Sequence, residues 1–93
     1  MHIEQLNTMN IKVLYFAQLR ERFGLSEEHV QAPASVRTVK DLIEHLSARG
    51  GLWADTFDGS QAFRVAMNQE MIALDTPLVD GAELAIFRPV TGG

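Results

Sequence analysis

The stretch TVKDLIEHLSARGG, residues 38–51, decides the fold. Val39, Leu42, Ile43 and Leu46 recur at the i, i+3, i+4, i+7 spacing of one helical face. Thr38 is placed as an N-cap, and Asp41 suits the positive end of the helix. Arg49 suits the last turn, and Gly50 can take a left-handed cap. No other segment carries so long a helical period. QLRERFG (18–24) reads as a short helical turn stopped by Gly24, with Leu19 and Phe23 four apart on one face.

The segments around this helix read as strands. NIKVLYFA (10–17) is rich in aliphatic and aromatic residues, with Ile11, Val13 and Tyr15 on one side and Lys12, Leu14 and Phe16 on the other. Apolar residues on both sides predict a central strand or one with an adhesive exposed face. EEHVQAP (27–33) is a weaker strand ending at Pro33. AFRVAMN (62–68) alternates Phe63, Val65 and Met67 against Ala62, Arg64 and Ala66. NQEMIAL (68–74) reads as a bend and a very short strand, DTPLVDG (75–81) as turn chemistry, and ELAIFR (83–88) as the last strand. LWADTFDGSQ (52–61) shows no clean period and reads as an irregular connection with Trp53 and Phe57 turned inward.

The order is therefore β, β, helix, β, short β, β. One good helix covers only one face of a sheet, so the expected class is α+β, a mixed sheet with its other face left to water or to another protein. The 93 residues, 46% hydrophobic, suit a single small core. Eight basic and twelve acidic residues give a charge of −4. No Lys/Arg cluster offers a phosphate track, so nucleic acid is not an expected partner. The absence of cysteine removes disulfides, thiol catalysis and cysteine-held clusters, and is compatible with a cytoplasmic location. No apolar run approaches the roughly 20 residues of a membrane span, and MHIEQLNT lacks the pattern of a signal peptide. Residues 1–9 are expected to be a flexible extension, 10–87 the domain, and 88–93 an extended tail. His2, His29 and His45 have no metal-ligand spacing, and Glu27-Glu28 reads as a solvated charge pair.

The sequence ends in FRPVTGG (87–93). A Gly-Gly end is compatible with simple fraying. It also suits an arm that enters a narrow slot, because Gly92 and Gly93 carry no Cβ and accept backbone angles that other residues avoid. Pro89 fixes its own φ and biases Arg88 toward extension, and Thr91 favours extension by β-branching. Fully extended, the six residues after Phe87 reach roughly 20 Å.

IKVLYFAQLRERFG (11–24), VAMNQE (65–70) and LVDGAELAIFRPVTGG (78–93) together resemble the small subunits of molybdopterin synthase, in the ubiquitin-like sulfur-carrier (MoaD/ThiS) family. The resemblance implies a β-grasp fold with sheet order 2-1-5-3-4, the first and last strands parallel and central. It implies that an activating enzyme (MoeB-type) adenylates Gly93 with ATP and magnesium, that a thiocarboxylate forms there, and that the chain binds no cofactor itself. The tail, Arg88, Pro89, Val90, Thr91, Gly92 and Gly93, would enter a large catalytic subunit (MoaE-type) of a heterotetramer and give its sulfur to cyclic pyranopterin monophosphate. Phe16, Met71 and Phe87 correspond to the family's partner surface; as aromatic and thioether side chains they also suit a core. The family commonly has proline where this chain has Arg88, which either loosens the start of the tail or adds a charged contact. Other readings of the Gly-Gly logic are a sulfur carrier for thiamine thiazole synthesis, a ubiquitin-like protein modifier, and a binding module with an inert tail.

Overall fold

The computed structural model describes residues 8–89. Its elements are β1 (Met9–Tyr15), α1 (Ala17–Phe23), β2 (Glu27–Ala32), α2 (Val39–Ser47), α3 (Gly51–Thr56), β3 (Arg64–Met67), β4 (Glu70–Ile72) and β5 (Glu83–Phe87). The five strands form one sheet in the order β2-β1-β5-β3-β4. β1 runs parallel to β5, with Tyr15 opposite Ile86, and every other neighbouring pair is antiparallel. This is the β-grasp, ubiquitin-like arrangement expected from the resemblance.

Strand alternation puts Ile11, Val13 and Tyr15 of β1 on the face that also carries Val65, Met67, Leu84 and Ile86. Against it pack Leu19 of α1 and Val39, Leu42 and Leu46 of α2. The cap of α2 is reciprocal. The Asp41 N–H donates to Thr38 Oγ1 at 3.1 Å, and the Thr38 N–H donates to Asp41 Oδ2 at 3.1 Å. Gly24 ends α1 with φ of 69°.

Several details differ from the sequence expectation. First, α2 stops at Ser47 with Ala48 as a right-handed cap, and Gly50, at φ 81°, opens a further helix. Residues 51–56 are therefore helical rather than irregular. Six residues are too few to display a period, but the inward turn of the aromatics holds. Trp53 stacks on Phe23 with ring centroids 3.8 Å apart, and Phe57 meets the edge of Phe63 at 5.1 Å. Second, Met9 is already in β1, opposite Ala32, so the strand begins one residue before the expected boundary. Residues 1–7 lie outside the described range. Third, Leu78, within the expected turn 75–81, is buried in the core, and its N–H donates to the carbonyl of Arg37. The loop is a lid on the core as well as a turn.

Glu27 and Glu28 are not a uniform solvated pair, because alternation sends them to opposite faces. Glu27 lies 3.6 Å from the Lys12 ammonium on the outer face. Glu28 turns to the helix side, accepts from the Tyr15 hydroxyl at 2.7 Å and takes both arms of the Arg49 guanidinium at 3.0 Å. That guanidinium lies 4.4 Å from the centroid of the Trp53 ring. One carboxylate thus ties β1, β2 and the α2–α3 corner together.

Burial and the Glu28 hydrogen bond hold the Tyr15 phenol well above its usual value, so it remains a donor. Burial alone would raise the Glu28 carboxyl, but the Arg49 and Tyr15 hydrogen bonds and the Arg49 charge outweigh it and hold the carboxyl below the usual glutamate range. A depressed carboxylate adds stability above its unfolded pKa and loses it as pH falls through the folded value. Melting temperature should therefore fall as pH drops through and below the usual glutamate range, and Glu28→Gln should flatten that slope. At pH 7 the substitution should cost about 1–2 kcal/mol, a charged hydrogen-bond network discounted for its partial exposure. Thermal melts across pH check both.

Candidate docking face and tail root

The helices leave one sheet face uncovered, and the register defines what it presents. Leu14 is opposite Ala85, Ala85 opposite Ala66, and Ala66 opposite Met71. These four form an apolar row across β1, β5, β3 and β4. The two alanines make its centre shallow, so Met71, 52% exposed at the edge strand, stands above the floor. Beside this row Arg64 is opposite Phe87. Phe16 follows Tyr15 in extended geometry, φ −120° and ψ 152°, so the alternation of β1 continues through it. Because β1 and β5 are parallel, Phe16 and Phe87 emerge side by side at the same end of the sheet. Phe16 is 47% exposed and Phe87 half-buried.

The three aromatic and methionine positions singled out in the sequence thus face away from the helices and from the core. Phe16 and Phe87 are brought together, and Met71 sits at the far end of the apolar row. Leu14 and the alanines between them were not identifiable as a floor from the sequence, because strand neighbours and register are set by pairing across distant segments. Alternation within β1 and β3 was the only signal available for them.

At the Phe16–Phe87 end the chain leaves the sheet. A cleft of about 340 Å³ is lined there by Phe16, Ala17, Gln18, Phe87, Arg88 and Pro89. Arg88 is exposed, and its Nη1 donates to Gln18 Oε1 in the first turn of α1. Gln18 had no sequence signal at all, since the contact spans 70 positions. Val90, Thr91, Gly92 and Gly93, the expected arm and sulfur-bearing end, lie outside the described residues. Among the described residues no group of three or more His, Cys, Asp or Glu is placed to hold a metal ion, and no helix is long and apolar enough to cross a membrane.

The profile of the ThiS family matches residues 13–93, from the middle of β1 to the end of the sequence. The chain belongs to the ThiS family. Its ThiS-family relatives include the molybdopterin synthase sulfur carrier subunit of Escherichia coli, 42% identical over 89% of this chain and 99% of that protein. A molybdopterin converting factor subunit 1 from Pyrococcus furiosus, described as putative, shares the structure with a TM-score of 0.71 and 30% identity, over 88% of this chain and 99% of that one. Small archaeal modifier protein 1 of Haloferax volcanii is also similar, with a TM-score of 0.73 and 28% identity over 88% and 99%. As a ThiS-family protein matched over most of its length to molybdopterin synthase sulfur carrier subunits, the chain is a homologue of the family's sulfur carriers.

Proposed function

We propose that the chain is the sulfur-carrier subunit of a molybdopterin synthase and that Gly93 is the atom-bearing residue. The carrying observation is adjacency. The exposed apolar row ends at Phe16 and Phe87, where the tail begins. A partner that covers the row therefore receives the arm, and roughly 20 Å of extended chain is long enough to enter its active site.

A carboxylate is a poor electrophile because attack on it must build further negative charge. Adenylation of the Gly93 carboxylate with ATP, with release of pyrophosphate, supplies AMP as a leaving group. The magnesium and cationic groups for that step belong to the activating enzyme. Sulfide-level sulfur from the donor then attacks the acyl carbon and expels AMP, giving the thiocarboxylate. In the large catalytic subunit the thiocarboxylate sulfur passes to cyclic pyranopterin monophosphate and water supplies the oxygen that regenerates the carboxylate; two such transfers build a dithiolene. The chain has no cysteine to carry a persulfide, which leaves the C-terminus as the available carrier. Intact mass after incubation with activating enzyme, ATP and a sulfur source tests the reading. The expected gain equals the exchange of one oxygen for sulfur, confined to the last residue on fragmentation.

Phe16→Ala and Phe87→Ala should each weaken assembly with the large subunit by about 2 kcal/mol, or roughly thirtyfold in Kd. Met71→Ala should have a smaller effect from the edge of the row. Calorimetric titration checks this, with thermal melts of the isolated chain as control. Unchanged binding beside a badly destabilised fold would assign the phenylalanines to the core.

The likeness to an archaeal modifier protein keeps one other reading in view, a modifier whose Gly93 joins lysines through isopeptide bonds. Covalent ladders on blots of a tagged chain would favour it. Loss of molybdoenzyme activity, rather than a requirement for thiazole, separates the proposed role from thiamine synthesis.

A further inference from the structure

β1 and β5 leave the sheet side by side, and their chains then do opposite things. After Tyr15 and the extended Phe16, the chain turns at once into α1. The turn is made by Ala17 at φ 50°, a left-handed conformation that an alanine adopts only under constraint. Its effect is to bring the first turn of α1 across the exit of the neighbouring strand. Gln18, the second residue of that helix, accepts a hydrogen bond from Arg88, the first residue after β5. Arg88 has no ion pair among the described residues, so this bond is its polar anchor. Pro89 follows, half-buried between the first turn of α1 and a second hollow lined by Phe63, Arg64, Ile72 and Leu74.

We infer that Gln18 is a positioning residue for the sulfur-carrying arm, acting through Arg88 to aim the start of the tail before a partner binds; this rests on the carrier function proposed above. A residue at the end of a strand is free to swing unless something holds it. Proline would hold it covalently, by fixing φ. Here the second residue of the arm is a proline but the first is not, and a bond to α1 supplies the restraint. An arm aimed in advance loses less freedom on entering a slot. The restraint acts on docking and not on the reaction, because the slot sets the geometry of the bound arm. Loss of such a contact raises KM and leaves kcat in place.

The test uses the full chain with an activating enzyme and ATP. Gln18→Ala should raise the KM for the carrier about fivefold, with kcat and melting temperature unchanged. Gln18→Glu retains an acceptor and should keep KM near that of the parent. In an Arg88→Pro background, where φ is fixed covalently and Phe87 already has the extended geometry needed before proline, Gln18→Ala should change nothing further. A readout independent of any partner is ¹⁵N relaxation at the Arg88 amide and Nε, where motion should increase in Gln18→Ala. Unchanged Arg88 motion, an unchanged KM, or an equal Gln18→Ala effect in the Arg88→Pro background would each overturn the inference. Failure of the parent chain to form any adenylate or thiocarboxylate would instead remove the carrier reading, and the relaxation data alone would then decide whether the contact restrains Arg88.

Discussion

Deleting Gly93 is expected to abolish sulfur transfer while leaving the fold and its melting temperature as they are. The deletion moves the terminal carboxylate back by about 3.3 Å along an extended arm. A misplacement near 1 Å already lowers reaction rates about a hundredfold, so both the adenylation step and delivery to the pterin precursor should be lost. Adding one residue after Gly93 should do the same, because the α-carboxylate no longer belongs to the residue that fits the slot. Among the described residues the core contains nothing beyond Ile86, so neither change is expected to touch buried surface there. Docking should also survive, since Phe16, Phe87 and Met71 are intact. The measurements are thermal melting, titration with the large subunit, and molybdopterin yield with activating enzyme, ATP, sulfur donor and precursor. Full yield from the extended protein, with its extra residue shown intact by mass spectrometry, would sink the carrier mechanism.

The complementary result is expected from Leu84→Ala, which should destabilise the protein by about 3 kcal/mol through lost burial and the cavity left behind. Leu84 is fully buried in β5, between Val13 of β1 and Met67 of β3. Its neighbours belong to strands held on both sides, so they cannot collapse into the space. For a domain of this size each kcal/mol shifts melting by roughly 4–8 °C, which makes the change easy to read. Leu14→Ala, on the uncovered face of the adjacent strand, should cost less than about 1 kcal/mol because its side chain remains partly in water. Its effect should appear instead in partner binding. The two leucines thus separate the folding face of the sheet from its docking face. A large loss of stability at Leu14 with unchanged binding would contradict that division.

The amino-acid sequence by itself determined the local elements. Period 3.6 with Thr38 and Asp41 marked α2, period 2 marked β1 and β3, and Gly24 marked the stop of α1, because each signal is carried by residues within one or two turns of one another. The tail FRPVTGG and its surrounding motifs carried the resemblance to the sulfur-carrier family, since such motifs are runs of neighbouring residues. The tertiary structure alone decided the rest. α3 was invisible because six residues hold less than two turns, and it is secured by Trp53 on Phe23, partners 30 positions apart in sequence. Leu78 lies in a run of turn residues, and only the folding of that loop over the core buries it. Glu28 has the sequence context of a surface charge, and only β-pairing brings it to Arg49 and Tyr15. The docking row exists only through register, because Leu14, Ala85, Ala66 and Met71 come from four strands that pairing alone aligns. Gln18 and Arg88, at opposite ends of the chain, meet because parallel pairing of the first and last strands brings both chain exits to one end of the sheet.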